Sequence, residues 1–454
     1  MTLSGQDVRR SPDETGYRMP METAPKSLRL HIGLFGRANA GKSSFLNLVC
    51  SQDVAITSPL PGTTTDVVEK PMELLPIGPV VFLDTAGLSD PTALAEARLG
   101  KTARVFDRAD IVVLVCEANV WGDEERAILD RAAERRLPVI AAVTKADLAA
   151  PDEAFLGELR GRCAGTVVCN ATQPSERERV LAELKQHILA VCPEDFLRPP
   201  PLIGDLVRPG GLAVLLVPID LEAPRGRLIL PQVQAIRDAL DHDAAVLVVK
   251  ENGYASLLGR LGVRPDVVVC DSQVVRQMVA ETPPDIPCTT FSILFARRNG
   301  DLPQMVRGAA AIDRLRAGDR VLIAESCSHH PLADDIGRVK IPRWLRQYTG
   351  VELAFDSVAG RDFPPDLPDY RLVVQCGGCM NNRREMLSRL GKAAAAGVPI
   401  TNYGVCIAHT QGVLRRVLSP LPAALDAYEN LAAAGGASPQ AAQTATASSS
   451  PPPA

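Results

Sequence analysis

The chain has 454 residues, too many for one hydrophobic core, so about three domains of roughly 150 residues are expected. Hydrophobic residues make up 46% and charged residues 22%, which is usual for a globular protein. The net charge of −4 gives no electrostatic reason to expect non-specific binding to nucleic acid or to a membrane surface. The sequence also has no apolar run long enough to span a bilayer, so we expect neither a nucleic-acid nor a membrane partner.

Both ends of the chain differ in composition from the rest. Residues 1–27 are mostly polar and have no apolar signal core, which predicts a disordered lead-in. Residues 431–454 are rich in Ala, Ser, Gln and Pro, which predicts a disordered tail. The eleven cysteines are an odd number scattered among core-like segments, which fits a reducing cytoplasm better than a disulfide framework.

A phosphate-binding pattern, GRANAGKS, runs from Gly36 to Ser43. Its glycine-rich turn offers backbone N–H groups and the positive end of a helix dipole to phosphate oxygens. Lys42 is expected to contact the β- and γ-phosphates, and Ser43 to ligate Mg²⁺. The pattern alone also occurs in chance glycine-rich turns, but here an apolar run precedes it and a helix-forming segment follows it.

Short apolar runs alternate with helix-forming segments from residue 28 to about residue 198. This alternation is typical of a mostly parallel sheet with helices on both faces, whose ligands bind at the carboxyl ends of the strands. We therefore predict an α/β protein that begins with a doubly wound P-loop GTPase domain at 28–198.

The ends of these runs carry further nucleotide-site motifs. The DTAG motif, Asp84 to Gly87, would supply a carboxylate near Mg²⁺ and a glycine N–H for the γ-phosphate, while Thr64 in PGTTTD would close on the metal. TKAD at 144–147 resembles a guanine-reading motif, and Asn170 is placed for a last base contact. Each motif alone is also an ordinary turn, but their order and spacing predict a GTPase. The predicted nucleotide-binding residues are Gly36, Asn39, Ala40, Gly41, Lys42, Ser43, Ser44, Thr64, Asp84, Gly87, Thr144, Lys145, Asp147, Asn170 and Ala171, with Lys42, Asn39, Thr64, Asp84 and Gly87 acting in hydrolysis.

Two details of this domain resemble the Era/TrmE-like GTPases. Leu88 follows DTAG where many GTPases have a glutamine that orients the attacking water, and Asn39 lies inside the phosphate loop. The resemblance implies that Asn39 helps to hold a K⁺ ion in the position of an arginine finger. The alternative is that Asn39 only stabilises the turn.

A triple proline at 199–201 predicts a stiff linker, and a second series of strands and helices follows at 204–285. Nothing in this second series has the pattern of a catalytic site. A small βα unit without a site is suited to dimerisation, and we therefore expect a homodimer.

The third series, at 286–428, begins with TTFSILFARR, which we read as a strand, and it places cysteines after two later strands. DRVLIAES is followed by Cys327 and His329, and YRLVVQ is followed by Cys376 and Cys379. If both strands are parallel neighbours, both cysteine groups lie at one edge of the sheet, and thiolates on tight turns are suitable ligands for an iron–sulfur cluster. A closed Cys₃His zinc site and a redox-active C-x-x-C pair are the alternatives. The remaining cysteines are predicted to be core thiols: Cys50, Cys116, Cys163, Cys169, Cys192, Cys270, Cys288 and Cys406.

From about residue 28 to 428 the chain resembles the FeFe-hydrogenase maturation GTPases of the HydF family. The similar segments are GRxNxGKSS, PGTTTD, PxELxPIGPVVFLDTAG, the C-x-H at 327–329, the C-x-x-C at 376–379 and ITNYGV at 400–405. The chain departs from the family pattern at Gln375, where the family usually has His, and at Thr144, where the base-reading motif usually has Asn. The first departure leaves the fourth cluster ligand open among His329, His330, solvent and an exchangeable ligand.

This resemblance implies a scaffold with a 4Fe–4S cluster on Cys327, Cys376 and Cys379, and with GTP, Mg²⁺ and K⁺ in its GTPase domain. It would carry a diiron subcluster built with radical SAM maturases and deliver it to the apo-hydrogenase. Two other readings remain: an RNA-modification or ribosome-assembly GTPase of the Era/TrmE type with a structural zinc site, and a zinc metallochaperone.

Overall fold

The computed structural model describes residues 25–50, 68–85, 95–219, 228–326, 335–360 and 363–435. Within these ranges the first domain contains one sheet flanked by helices. Its strands are β1 (Leu30–Phe35), β2 (Val68–Leu74), β3 (Gly78–Asp84), β4 (Ile111–Glu117), β5 (Val139–Thr144) and β6 (Gly165–Val168). Its helices are α1 (Lys42–Cys50), α2 (Ala95–Arg108), α3 (Asp123–Glu134), α4 (Glu153–Arg162), α5 (Arg177–Val191) and α6 (Glu194–Leu197).

In the described residues this sheet has the strand order β2-β3-β1-β4-β5-β6. β2 pairs antiparallel with β3, and the other neighbours pair in parallel. Buried apolar clusters cover both faces of the sheet, because its central strands are apolar along their whole length. The predicted doubly wound, mostly parallel sheet is confirmed.

The rest of the chain contains two more sheets in its described residues, with the strand orders β10-β9-β7-β8 and β12-β11-β13-β14. The strands are β7 (Leu212–Leu216), β8 (Ala245–Val249), β9 (Val267–Cys270), β10 (Cys288–Thr290), β11 (Arg320–Glu325), β12 (Ala354–Ala359), β13 (Leu372–Gln375) and β14 (Ile400–Asn402). The helices are α7 (Leu230–Asp241), α8 (Tyr254–Leu258), α9 (Val275–Glu281), α10 (Phe291–Asn299), α11 (Leu302–Ala309), α12 (Ile341–Thr349), α13 (Arg383–Ala395), α14 (Tyr403–Thr410), α15 (Leu414–Leu418) and α16 (Pro422–Gly435).

The predicted boundary at 285/286 lies just before β10, and β10 (Cys288–Thr290) pairs with β9 in the second sheet. TTFSILFARR at 289–298, read from the sequence as a strand of the third series, is mostly helix α10. Thr290 begins the helix as its N-cap, since its hydroxyl accepts the Ile293 N–H. One continuous apolar core spans the second and third sheets, which explains why the pattern shows no break there.

Both terminal predictions need a small correction where the structure describes the residues. A 3₁₀ turn already begins at Lys26, whose ammonium forms an ion pair with Glu69 at 2.9 Å. At the other end α16 continues to Gly435, past the predicted start of the tail at 431. The rest of both predicted segments lies outside the described residues.

Candidate nucleotide and metal sites

The phosphate loop leaves β1 at Gly36, with a backbone that requires glycine there. Gly36 has φ +150°, and a Cβ at this position would lie 2.1 Å from the carbonyl oxygen of Val115 on β4. The loop therefore lies directly against the neighbouring strand before it enters α1. Within the loop, Asn39 also has a positive φ, +63°, and its side chain is exposed.

Lys42 is held inside this loop. Its side chain is the first in α1 and is only 5% exposed, and Nζ donates to the carbonyl oxygens of Gly36 at 2.8 Å and Arg37 at 2.7 Å. Burial lowers the pKa of the Lys42 ammonium, and the nearby Asp84 carboxylate opposes that shift. The loop backbone thus orients the ammonium. Among the contacts of Lys42 that the structure describes, no carboxylate lies within hydrogen-bond distance to neutralise its charge.

Asp84 ends β3 beside the phosphate loop. It lies opposite Leu34 of β1 in the parallel register, and it is buried. The next residue, Thr85, donates its hydroxyl to the Leu34 carbonyl oxygen at 2.6 Å, which ties the end of β3 to the end of β1. The predicted site residues Thr64 and Gly87 lie outside the described residues, as does Leu88, which was used to identify the type of GTPase.

The TKAD motif follows β5 and joins the base-reading side to the phosphate loop. Thr144 is fully buried, and its hydroxyl donates to the Ala40 carbonyl oxygen at 2.6 Å. Lys145 has φ +57° and pairs with Glu117 at 2.6 Å, while Asp147 is exposed. Thr144 therefore holds two loops together, which the sequence did not show.

Asn170 and Ala171 follow β6, at the same edge of the sheet as TKAD. Asn170 Oδ1 accepts from the Thr172 backbone N–H at 3.1 Å and from the Thr172 hydroxyl at 2.7 Å. These bonds form a compact turn at the end of β6. Ser43 is exposed on the first turn of α1, so its hydroxyl is available to a ligand at the loop.

A charge pair at the phosphate loop was missed by the sequence analysis. Arg37 donates two hydrogen bonds to the fully buried carboxylate of Glu125, one of them from Nε at 2.7 Å. Glu125 lies in the first turn of α3 and also accepts the Gly122 N–H at 3.0 Å. The pair joins the loop to α3, and no local pattern could reveal it because the partners are 88 positions apart.

The cysteine-bearing edge is formed by β11 and β13, which are parallel neighbours with Ala324 opposite Gln375. The Cys376 N–H donates to the Ala324 carbonyl oxygen at 2.9 Å. The Ser326 N–H, immediately before Cys327 in the chain, donates to Cys376 Sγ at 3.2 Å. The two strand ends therefore meet, as the sequence predicted.

The C-x-x-C turn depends on one of its glycines. Gly378 has φ +65°, in the left-handed region that favours glycine, and a Cβ there would displace the terminal methyl of Met386, which lies 2.1 Å from its position. Gly377 has more room, since its nearest neighbour would be Ser292 Oγ at 3.6 Å. Cys376 and Cys379 are both half-buried.

Thiolate chemistry at this edge fits an iron–sulfur cluster. Cys376 Sγ already receives a backbone N–H bond, the kind of contact that stabilises a thiolate bound to a metal. Within the described residues there is no group of three or more metal-ligating side chains, and Cys327 and His329 lie outside those residues. By contrast, burial raises the pKa of Cys116 and Cys406 to about 12, as expected for core thiols.

A buried polar contact joins the cysteine-bearing segment to the GTPase domain just before β4 begins. α13 begins just after the C-x-x-C turn with Asn382 as its N-cap, and Asn382 Nδ2 also donates to the Arg108 carbonyl oxygen at the end of α2, at 2.9 Å. Lys392 in the same helix pairs with Asp107 at 2.6 Å. The segment that carries the cysteines is thus packed on the helix that follows DTAG.

Three family models match consecutive parts of the chain. The model described as a 50S ribosome-binding GTPase matches residues 31–145. The hydrogen maturase F dimerization domain matches 202–300, and the hydrogen maturase F tetramerization domain matches 303–420. These matches agree with the resemblance to the HydF family that the sequence motifs indicated. The match to the dimerization domain extends to residue 300, in agreement with the position of β10 in the second sheet.

Curated relatives match a shorter part of the chain. The tRNA modification GTPase MnmE of Synechococcus sp. (strain JA-3-3Ab) is 42% identical over 125 residues, 27% of this chain and 26% of the relative. MnmE of Acaryochloris marina is 34% identical over 160 residues, 35% of this chain and 34% of the relative. The chain thus spans about a quarter to a third of these relatives. A solved structure of Aquifex aeolicus Era bound to GDP and aluminium fluoride is 24% identical, with a TM-score of 0.30 over 36% of this chain and 57% of Era.

The first domain is therefore a GTPase domain, suited to GTP and Mg²⁺, and the two regions that follow match models described as dimerization and tetramerization domains. In the described residues, no helix combines the length and apolar character needed to cross a membrane.

Proposed function

We propose that this chain is a scaffold that holds a 4Fe–4S cluster on Cys327, Cys376 and Cys379 and carries a diiron precursor to the apo-hydrogenase. The observation that supports this most directly is the 3.2 Å bond from the Ser326 N–H to Cys376 Sγ. This bond brings Ser326, the residue before Cys327, to the C-x-x-C turn, and in our proposal Cys327 would supply the third thiolate. The matches to the hydrogen maturase F dimerization and tetramerization domains support the same reading.

The protein's contribution at this edge is to hold sulfur ligands and to leave one metal position without a thiolate. Gly378 lets the C-x-x-C turn fold tightly, and Met386 packs against it. An iron without a thiolate ligand provides a labile position through which a second metal unit can be bridged and later released. We assign His329 as a candidate for that position and expect Gln375 not to coordinate, since a neutral amide is a poor ligand for a soft metal.

In the GTPase domain we propose that Lys42 and the loop backbone bind the β- and γ-phosphates, with Mg²⁺ on Ser43 and Thr64 and with Asp84 beside it. Asp147, Lys145 and the turn after β6 would read the guanine. Asn39 would hold K⁺, a role consistent with its exposed position in the loop. GTP hydrolysis would switch contacts with partners through the loop at 62–66.

The partners follow from the same proposal. Radical SAM maturases would supply the diiron unit, and the apo-hydrogenase would receive it in the cytoplasm. The second domain would form the homodimer. An exposed apolar set on α7 and β8 is consistent with a face that is covered in an oligomer: Val233, Leu240 and Val248.

Anaerobic reconstitution with iron and sulfide tests the cluster directly. The protein is expected to become brown, with a broad absorption near roughly 400 nm, about four irons per chain and an EPR signal on reduction. Cys327→Ala, Cys376→Ala and Cys379→Ala should each lose iron and sulfide while keeping the GTPase rate. Cys50→Ala, a half-buried thiol in the first domain, is the matched control and should keep both.

Two results would contradict the scaffold reading. One is a Cys376→Ala protein with a full complement of four irons. The other is stoichiometric zinc with no uptake of iron, which would favour a structural zinc site or a zinc carrier instead.

A further inference from the structure

A hydrogen-bonding group surrounds the sulfur of Cys376. Ser326 Oγ lies 3.2 Å from Cys376 Sγ, and the Ser326 backbone N–H donates to the same sulfur at 3.2 Å. Gln375 Nε2 lies 3.4 Å from Cys376 Sγ and 3.1 Å from Ser326 Oγ. Asn381 Nδ2 donates to Ser326 Oγ at 3.0 Å. We call Ser326, Gln375 and Asn381 the Cys376 frame.

The direction of each bond follows from which atoms can accept. The amides of Gln375 and Asn381 both donate to Ser326 Oγ, so the lone pairs of that oxygen are used and its own hydrogen is free to point to the sulfur. As a metal ligand Cys376 is a thiolate and can only accept. Two or three hydrogen bonds then converge on one sulfur: the Ser326 N–H, the Ser326 hydroxyl and the Gln375 amide.

The orientation of Gln375 supports this assignment. Its side chain is completely buried, and its Oε1 has no hydrogen-bond partner within the part of the chain that the structure describes. The reverse orientation would place Oε1 3.4 Å from the thiolate, where two electron-rich atoms repel. A buried amide oxygen without a partner is unusual, and here it accompanies the donation of the amide N–H to Cys376 Sγ.

We propose that Ser326 and Gln375 are positioning residues whose hydrogen bonds to Cys376 Sγ raise the reduction potential of the cluster, with Asn381 holding Ser326 in place. The physical reason is that N–H and O–H donors stabilise negative charge on a cluster ligand, and reduction adds negative charge. This inference rests on the proposed cluster, and it assigns to three side chains a role distinct from ligation.

The test is a potentiometric titration of the reconstituted full-length protein, followed by EPR, with iron content measured on the same samples. Ser326→Ala removes the hydroxyl and keeps the backbone N–H, and Gln375→Leu removes the amide at similar volume. Both are expected to lower the midpoint potential, and Asn381→Ala to lower it less.

Two further variants guard against a packing effect. Gln375→Glu keeps the shape of the side chain but replaces its donor by an oxygen, so it should lower the potential most. Thr401→Val is the matched control, because it removes a buried hydroxyl on the neighbouring strand β14 that has no partner in the described residues. Resonance Raman spectra of the Fe–S(Cys) stretches give a second reading, which should move to higher frequency when a donor is lost.

The failure of this inference differs from the failure of the proposed function. If Ser326→Ala, Gln375→Leu and Gln375→Glu keep four irons and titrate at the wild-type potential, the role of the Cys376 frame is refuted and the scaffold stands. If the wild type takes up no iron–sulfur cluster at all, the proposed function itself is refuted.

Discussion

Lys42 carries a positive charge that burial has already made costly, and its two carbonyl partners can be exchanged for phosphate oxygens. Lys42→Ala removes that charge from the β/γ-phosphate position. The Lys42 ammonium would stabilise negative charge that develops in the transition state, so we expect the GTPase rate of Lys42→Ala to fall by roughly a hundredfold or more. The measurement is steady-state phosphate release at saturating GTP.

Lys185→Ala, on α5 and outside the predicted nucleotide site, is the control and should keep the wild-type rate. A Lys42→Ala protein with an unchanged rate and unchanged GTP affinity would show that the phosphates bind elsewhere.

Thr144 and Asp147 belong to one motif but should have separable effects. Thr144→Val removes the bond to the Ala40 carbonyl oxygen, which has a net value of about 0.5–1.5 kcal/mol, so GTP and GDP affinity should fall by up to about tenfold. The preference for GTP over ATP should not change, because the hydroxyl faces the phosphate loop. Asp147→Asn should instead relax that preference. Competition binding with both nucleotides distinguishes the two effects.

If Thr144→Val altered the preference for GTP over ATP while Asp147→Asn did not, then Thr144 and not Asp147 would be the residue that reads the guanine. Native protein that uses ATP and GTP equally well would remove the base-reading assignment altogether.

At the scale of single residues, the sequence predicted which side chains carry chemistry but not what positions them. GKS and C-x-x-C are local patterns, so Lys42 and Cys376 could be found without a fold. The Arg37–Glu125 pair and the Ser326–Cys376 contact join residues 88 and 50 positions apart. Such partners are set by how the strands assemble, and the spacing along the chain does not reveal them.

At the scale of elements, the strands that were recognised are those buried on both faces, such as β4 and β5. β2 and β12 were missed because they lie at sheet edges and have mixed side chains, most of them half-buried or exposed. TTFSILFARR was misread because its buried apolar residues suit either a strand or a helix, and a short apolar run does not distinguish them.

Within the phosphate loop, a substitution at Asn39 can separate the role of its backbone conformation from the role of its side chain. A positive φ of +63° is tolerated by asparagine and is unstrained for glycine. Asn39→Gly should therefore keep the turn and GTP binding but abolish stimulation by K⁺, if the side chain holds the ion. Hydrolysis is measured in KCl and in NaCl at equal ionic strength.

Asn39→Ala is the comparison variant, since it removes the side chain and also strains the turn, and it should weaken GTP binding as well. A wild type with equal rates in both salts would remove the potassium hypothesis. An Asn39→Gly protein that keeps the KCl/NaCl ratio would leave Asn39 as a turn residue.

At the scale of the whole molecule, the GTPase domain and the cysteine-bearing segment meet around a carboxylate. Asp110, between α2 and β4, accepts the His31 N–H at 2.8 Å and lies 3.5 Å from Asn382 Nδ2. Burial raises the pKa of Asp110 to about 7, with a further rise from Asp195, while the His31 bond and Arg384 oppose it. No local pattern predicts this contact, because its residues come from segments about 270 positions apart.

The raised pKa predicts how stability depends on pH. Between the unfolded pKa of about 4 and the folded pKa of about 7, the folded protein binds more protons at Asp110 than the unfolded chain does. The contribution of this group to stability is therefore fully present below about pH 4 and is lost as the pH rises towards 7. Above that pH, an ionised carboxylate remains enclosed between the two domains, which costs free energy of folding.

Asp110→Asn keeps the shape of the side chain, and its carbonyl oxygen can still accept the His31 N–H, but it cannot ionise. We expect the melting temperature of Asp110→Asn minus that of the wild type to increase from pH 5 to pH 8, by about 2–4 °C for each kcal/mol of ionisation cost. Asp123→Asn, an exposed carboxylate on α3, is the control and should show no such trend. A melting-temperature difference that is flat across this range, or that decreases with pH, would contradict this prediction. It would mean that Asp110 is already ionised in the folded protein at pH 5. The contact between α13 and the GTPase domain would then be insensitive to the charge of Asp110.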